Sequence, residues 1–166
     1  MYPGFEDERW LDLSRYPEFA DVMRARLDRC AEKGFHGVEG DNVDAFDQRI
    51  PDSNGVVRKG TSFGITRAQS VDYVLWLAQE AHKRGLAFGL KNAVTISAEV
   101  VDEVDWLLTE SCFAYSWCAE ARIFIDSNKP VFMTEYVEYV PDFSAACSEA
   151  KGAGFNAIYR LSLIHI

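Results

Sequence analysis

Histidine is scarce in this chain, with three in 166 residues, and none stands at ligand spacing from a cysteine. The four cysteines, Cys30, Cys112, Cys118 and Cys147, form no CxxC pair, so the sequence carries no zinc signature. No apolar run approaches the length that spans a bilayer. No positively charged start leads into an apolar signal core. No GxGxxG follows an apolar segment, which argues against a dinucleotide-binding sheet. Internal repeats and low-complexity tracts are also missing. Basic residues are in deficit, 17 Lys and Arg against 26 Asp and Glu, for a formal charge of −9. That balance disfavours a nucleic-acid partner and suits a cationic ligand.

What is present is a chain that folds. Hydrophobic residues make up 48% and aromatics 13%, enough for one domain with a full core and far from the composition of a disordered segment. Apolar residues at helical spacing from Pro17 to Lys33 predict an amphipathic helix, with Pro17 in its first turn and Gly34 at its stop. Thr66 to Gln69 reads as a capping box opening a second helix that ends at His82, Lys83 and Arg84 before Gly85. Short strands are expected at 36–39, 86–90, 105–108, 130–134 and 155–159, separated by helices near 98–102, 119–126 and 143–152. Alternation at this pitch implies right-handed βαβ units and a parallel sheet. The stretch from Ala45 to Ile65 reads as a long connection, and such connections are usually functional or mobile.

Polar residues recur just after the strands: Asp41, Lys91, Glu110 and Glu135. In α/β barrels the chemistry sits at that end, so a TIM barrel is preferred over a doubly wound sheet. A strand that runs into Glu39, Asp41 and Asp44 crowds negative charge where burial makes it costly unless the charges are paired or used. Asp41-Asn42-Val43-Asp44 taken alone fits a loop cap or Asx-turn equally well. A second acid after a separate strand, Glu110, makes the pair suit glycosidic bond cleavage, where one carboxyl protonates the leaving oxygen and the other attacks or stabilises the sugar cation. Cys112 and Cys118 flank a short loop beyond Glu110. A disulfide there would stiffen the acid's loop and indicate an oxidising compartment, while four small buried thiols fit the spacing as well.

Gly34-Phe35-His36-Gly37-Val38-Glu39-Gly40-Asp41-Asn42-Val43-Asp44, Gly89-Leu90-Lys91-Asn92, Glu110 to Tyr115, and Lys129 to Phe132 with Glu135-Tyr136 occur in order. Together they resemble glycoside hydrolase family 114, the TIM-barrel endo-α-1,4-polygalactosaminidases. The resemblance runs from about Gly4 to Arg160 and implies an extracellular enzyme without cofactor or metal, acting on a cationic galactosamine polysaccharide. It places the catalytic pair on Asp41, as nucleophile or cation-stabilising carboxylate, and Glu110, as general acid/base. Glu39, Asn42, Asp44, Lys91, Asn92, Glu135 and Tyr136 would line the substrate site, with Tyr115 and Trp117 as stacking faces. His36, Gly40, Ala45, Ala93 and Ser111 depart from the family's usual residues, and the Ala45 to Ile65 loop is longer, which bears on substrate fit. Two other classes remain: a non-catalytic carbohydrate-binding barrel, and a metal-dependent hydrolase using Asp41, Asp44 and Glu110, where an oxygen-seeking ion such as calcium would suit better than zinc.

Five strands are visible, whereas a closed barrel has eight and about 250 residues. Glu8 to Asp12 resembles the family's segment after its second strand, so two strands and a signal peptide are expected upstream. Leu161-Ser162-Leu163-Ile164-His165-Ile166 is what a common transposon-derived sequencing adaptor encodes. Residues 1–160 are therefore expected to be a partial barrel domain with a truncated C-terminus, monomeric when full length and inactive alone, and residues 161–166 a read-through scar.

Overall fold

Pro17 falls in the first turn of α1 (Tyr16–Glu32), where its missing N–H breaks no helical bond. The computed structural model describes residues 9–51, 57–61 and 63–161. The expected adaptor tail from 162 and the chain before Arg9 lie outside the described residues. After α1 come β1 (Gly37–Gly40), β2 (Arg49–Pro51), β3 (Val57–Lys59), α2 (Arg67–His82) and β4 (Ala87–Lys91). Then follow α3 (Ser97–Val100), β5 (Trp106–Glu110), α4 (Arg122–Asp126), β6 (Val131–Tyr136), α5 (Phe143–Ala153) and β7 (Asn156–Arg160). The capping box at α2 forms in both directions between Thr66 and Gln69. Gly154, at φ +80°, ends α5 in the left-handed conformation that a side chain would strain.

Five strands pair in parallel in the order β1-β4-β5-β6-β7. Each joins the next strand of the sheet through a segment containing at least one helix, so the architecture is α/β, built as the wall of a TIM barrel. The Ala45 to Ile65 segment differs from a plain loop. It contains β2 and β3, paired antiparallel from Arg49↔Lys59 to Pro51↔Val57, and Gly60 N–H donates to the Gln48 carbonyl at 2.8 Å. Two strands of three residues each lack the apolar alternation that would announce them.

Period-two alternation sorts the sheet into two faces. Phe88, Leu90, Leu107, Val131 and Met133 are at most 2% exposed and lie on the face the helices cover, with α2 against β1 and β4 and α5 against β6 and β7. The other face holds Glu39, Lys91, Trp106, Leu108, Glu110 and Phe132, all partly or fully open, and on β7 Asn156, Ile158 and Arg160 are exposed. Trp106 lies across the floor of this face. A Cβ on Gly89 would come within 2.1 Å of its ring and one on Gly37 within 2.7 Å, so both strands need glycine there. Trp76 instead packs between helices, beside Tyr16 and Tyr73 and under the Arg24 guanidinium.

Candidate active site

The strand register assembles the polar cluster. Gly40 pairs with Leu90, which brings Asp41 level with Lys91. Lys91 pairs with Leu108, so Glu110, two residues further on, stands diagonally from Lys91 on the same face. Glu110 pairs with Thr134, which places Tyr136 on that face by the same step. The contacts follow. Lys91 Nζ lies 3.1 Å from Asp41 Oδ2 and 3.0 Å from Glu110 Oε2, and the Tyr136 hydroxyl donates to Glu110 Oε1. Two such contacts onto one nitrogen hold a carboxylate oxygen of each acid within about 6 Å of the other.

Burial pulls the Lys91 ammonium down, and Asp41 and Glu110 more than reverse it, leaving its pKa above the usual lysine value. Glu39 reaches solvent, but surrounding protein raises its carboxyl, opposed by Lys91 and reinforced by Asp41 and Glu110. Asp44 is also raised, first by burial, against hydrogen bonds from Gln48 and its own backbone. Burial and then the Glu110 carboxylate push the Tyr136 hydroxyl far up, so it remains a donor. Lys91 thus lies among four acids, Glu39, Asp41, Asp44 and Glu110, whose combined charge favours a cationic ligand.

Asn92 fixes the geometry from below. It takes a left-handed φ of 51°, its N–H donates to the Leu108 carbonyl at 2.8 Å, and its Oδ1 accepts from Glu110 N–H at 2.8 Å. Asn is among the few residues that enter this region readily. A polar cleft of about 270 Å³ opens here, lined by Asp44, Asp47, Asn92, Thr95, Glu110 and Trp117. A larger hollow of about 590 Å³ lies between α1 and β1, lined by apolar Trp10, Leu13, Leu27 and Val38 and by the acids Glu39 and Asp41. The candidate acids border both spaces, Glu39 and Asp41 the larger hollow and Asp44 and Glu110 the smaller cleft.

Glu135 corrects the sequence-based expectation of a substrate contact. It has no exposed surface, because alternation turns it to the face opposite Tyr136. Its carboxylate accepts from Phe113 N–H at 2.8 Å and Ala114 N–H at 3.3 Å. Burial raises its pKa and those two bonds oppose the rise. It therefore braces the loop after β5, which is closed by a Cys112–Cys118 disulfide. Cys112, Cys118 and Glu135 lie within 4.8 Å of one another, but a disulfide offers no thiolate to a metal. Tyr115 stands outside the small cleft, 64% exposed. The sequence reading missed Tyr139, 47% exposed in the turn after β6. Its only signal is its place three residues beyond Tyr136.

A family model for glycoside-hydrolase family GH114 matches residues 1–163. The chain belongs to that family. Among solved structures, the crystal structure of Aspergillus fumigatus Ega3 in complex with galactosamine is similar, at 29% identity and a TM-score of 0.76. The match covers 96% of this chain and 63% of that one. No curated protein matches the sequence. The GH114 membership and this likeness agree with the barrel architecture of the parallel sheet.

Proposed function

We propose that this chain is the catalytic portion of a glycoside hydrolase that cleaves α-1,4-linked galactosamine polymers at internal bonds, with Asp41 and Glu110 as the working carboxylates. The observation that carries the reading is the Lys91 bridge, which holds two acids from different strands at the carboxyl end of the sheet. The separation it imposes, within about 6 Å between bridged oxygens, fits the roughly 5–5.5 Å of retaining pairs better than the roughly 6.5–9.5 Å of inverting ones. Asp41, the more open of the two, attacks or stabilises the anomeric carbon. Glu110, held by Lys91 and Tyr136, exchanges the proton with the leaving oxygen. Galactosamine bound to Ega3 supports the substrate class, and the acids Glu39, Asp41, Asp44 and Glu110 gathered near Lys91 support a polymer bearing ammonium groups.

The same reading extends to the chain's setting. The open face of the sheet and the hollow beside the edge of β1 that pairs with no strand among the described residues suit further strands, which would complete the barrel wall. Residues 1–160 would then be inactive alone, and the disulfide points to an extracellular site of action. Asp41→Asn and Glu110→Gln in the full-length protein keep shape and remove charge or a proton. Each is expected to lower turnover on polygalactosamine by about a hundredfold or more while binding changes little. Near-normal turnover in either variant would move the chemistry to Glu39 or Asp44. Binding without any turnover in the unaltered protein would make it a carbohydrate-binding barrel.

A further inference from the structure

Two large aromatic side chains, Tyr115 and Tyr139, stand 64% and 47% exposed beside the candidate catalytic cluster and meet each other. Tyr115 comes from the loop after β5 and Tyr139 from the turn after β6, and their ring centroids lie 5.9 Å apart. Tyr139 also meets Tyr136 edge to face at 6.4 Å, and Tyr136 bonds Glu110. A chain of ring contacts thus leads from the candidate acid to an open aromatic surface.

Both supports are rigid. The Tyr115 loop is tied by Cys112–Cys118 and by the buried Glu135 beneath it. The Tyr139 turn is pinned by N–H bonds from Tyr139 and Val140 to the Tyr136 carbonyl, at 3.1 and 2.9 Å. The Tyr159 hydroxyl donates to the Val140 carbonyl from β7. An aromatic pair exposed to this extent and held this firmly marks a contact surface for a ligand with an apolar face and polar edges. Exposed Glu138 lies against the Tyr139 hydroxyl, so an anion borders the rings. Continuity with Glu110 and this charge select the occupant.

We propose that Tyr115 and Tyr139 form a stacking platform for one hexosamine unit of the polymer, a step beyond the cleavage point, with Glu138 receiving its ammonium group. The inference rests on the glycosidase reading above. A pyranose presents C–H groups on one face to the rings, and an amino sugar adds a cation that both the ring faces and Glu138 attract. The platform would reward chains long enough to reach it and leave shorter ones unaffected.

The test compares hydrolysis of a size series of galactosamine oligomers by the full-length protein, Tyr139→Ala, Tyr139→Phe and Tyr115→Ala. On long oligomers each alanine variant is expected to lose about tenfold in kcat/KM, mainly through KM, as loss of one stacked ring implies. The shortest oligomer that is cut should be cut at the parental rate, and Tyr139→Phe should behave as the parent. Glu138→Gln should narrow the preference for free amine over N-acetylated polymer. Equal losses on short and long oligomers, or no loss on long ones, would overturn the platform. Tyr115→Ala, on a separate loop, gives an independent reading should Tyr139→Ala not fold. If the unaltered protein cleaves no oligomer, the glycosidase reading fails and binding decides the platform. Affinity that rises with length and collapses in Tyr139→Ala upholds it, and affinity indifferent to both overturns it.

Discussion

Lys91 is the residue on which the site turns. Its side chain is 14% exposed and its ammonium touches both Asp41 and Glu110, so it compensates charges that would otherwise repel each other. Lys91→Met keeps most of the volume and removes the cation. Asp41 and Glu110, within about 6 Å of each other at their bridged oxygens, then repel without the cation that joins them. Turnover at neutral pH is expected to fall by about tenfold or more, with a smaller change in polymer binding. Parental turnover in Lys91→Met would show that the bridge is not needed to hold the two acids in place. Glu135, one position before Tyr136, makes the opposite point. The same residue type, at the same strand end, braces backbone because its side chain leaves the other face of the sheet.

Between elements, α1 and α2 are joined by a buried carboxylate and three cations. Glu80, 4% exposed, accepts from Lys83 at 2.6 Å, from Arg84 at 2.9 Å and from Arg24 of α1 at 3.2 Å. Arg84 also reaches Asp28 of α1 at 2.6 Å. Lys83 above all, then Arg84 and Arg24, bring the Glu80 pKa from 4.5 to about 2 against the opposing effect of burial. A carboxylate lowered on folding adds stability above its unfolded pKa and loses it as pH falls through the folded one. The stabilisation is therefore present above about pH 4.5 and disappears towards pH 2. Glu80→Gln is expected to cost about 1–3 kcal/mol at pH 7. Denaturant titrations at pH 7 and pH 3 should show the difference between parent and variant shrinking at the lower pH. A constant difference would assign the loss to packing.

At the scale of the whole molecule, the formal charge of −9 and the acids around the cleft create a field that draws a polycation. Capture of de-N-acetylated galactosamine polymer is expected to weaken with ionic strength, KM rising several-fold between low salt and about 0.5 M while kcat changes little. N-acetylation of the polymer should remove both the salt effect and much of the affinity. Equal KM for acetylated polymer at both salt levels, matching that of the free amine, would replace charge attraction with hydroxyl recognition.

Much of this molecule was legible in the chain. Helical spacing with Pro17 and the Thr66–Gln69 box located α1 and α2, and the alternating apolar segments located all five strands of the parallel sheet, because local periodicity and capping act within a few residues. The polar residues expected after the strands, Asp41, Lys91, Glu110 and Glu135, were legible for the same reason, and three of the four meet in one cluster. Register decided the rest. Only the pairing of Gly40 with Leu90 and of Lys91 with Leu108 sets the lysine between the two acids, and only the pleat turns Glu135 inward beneath the loop. The Cys112–Cys118 disulfide and the β2–β3 pair join residues only six to ten apart, yet residue types left both open, and the meeting of Tyr115 with Tyr139 joins two separate loops. Such contacts are set by the packing of the folded chain, which a linear reading of residue types does not contain.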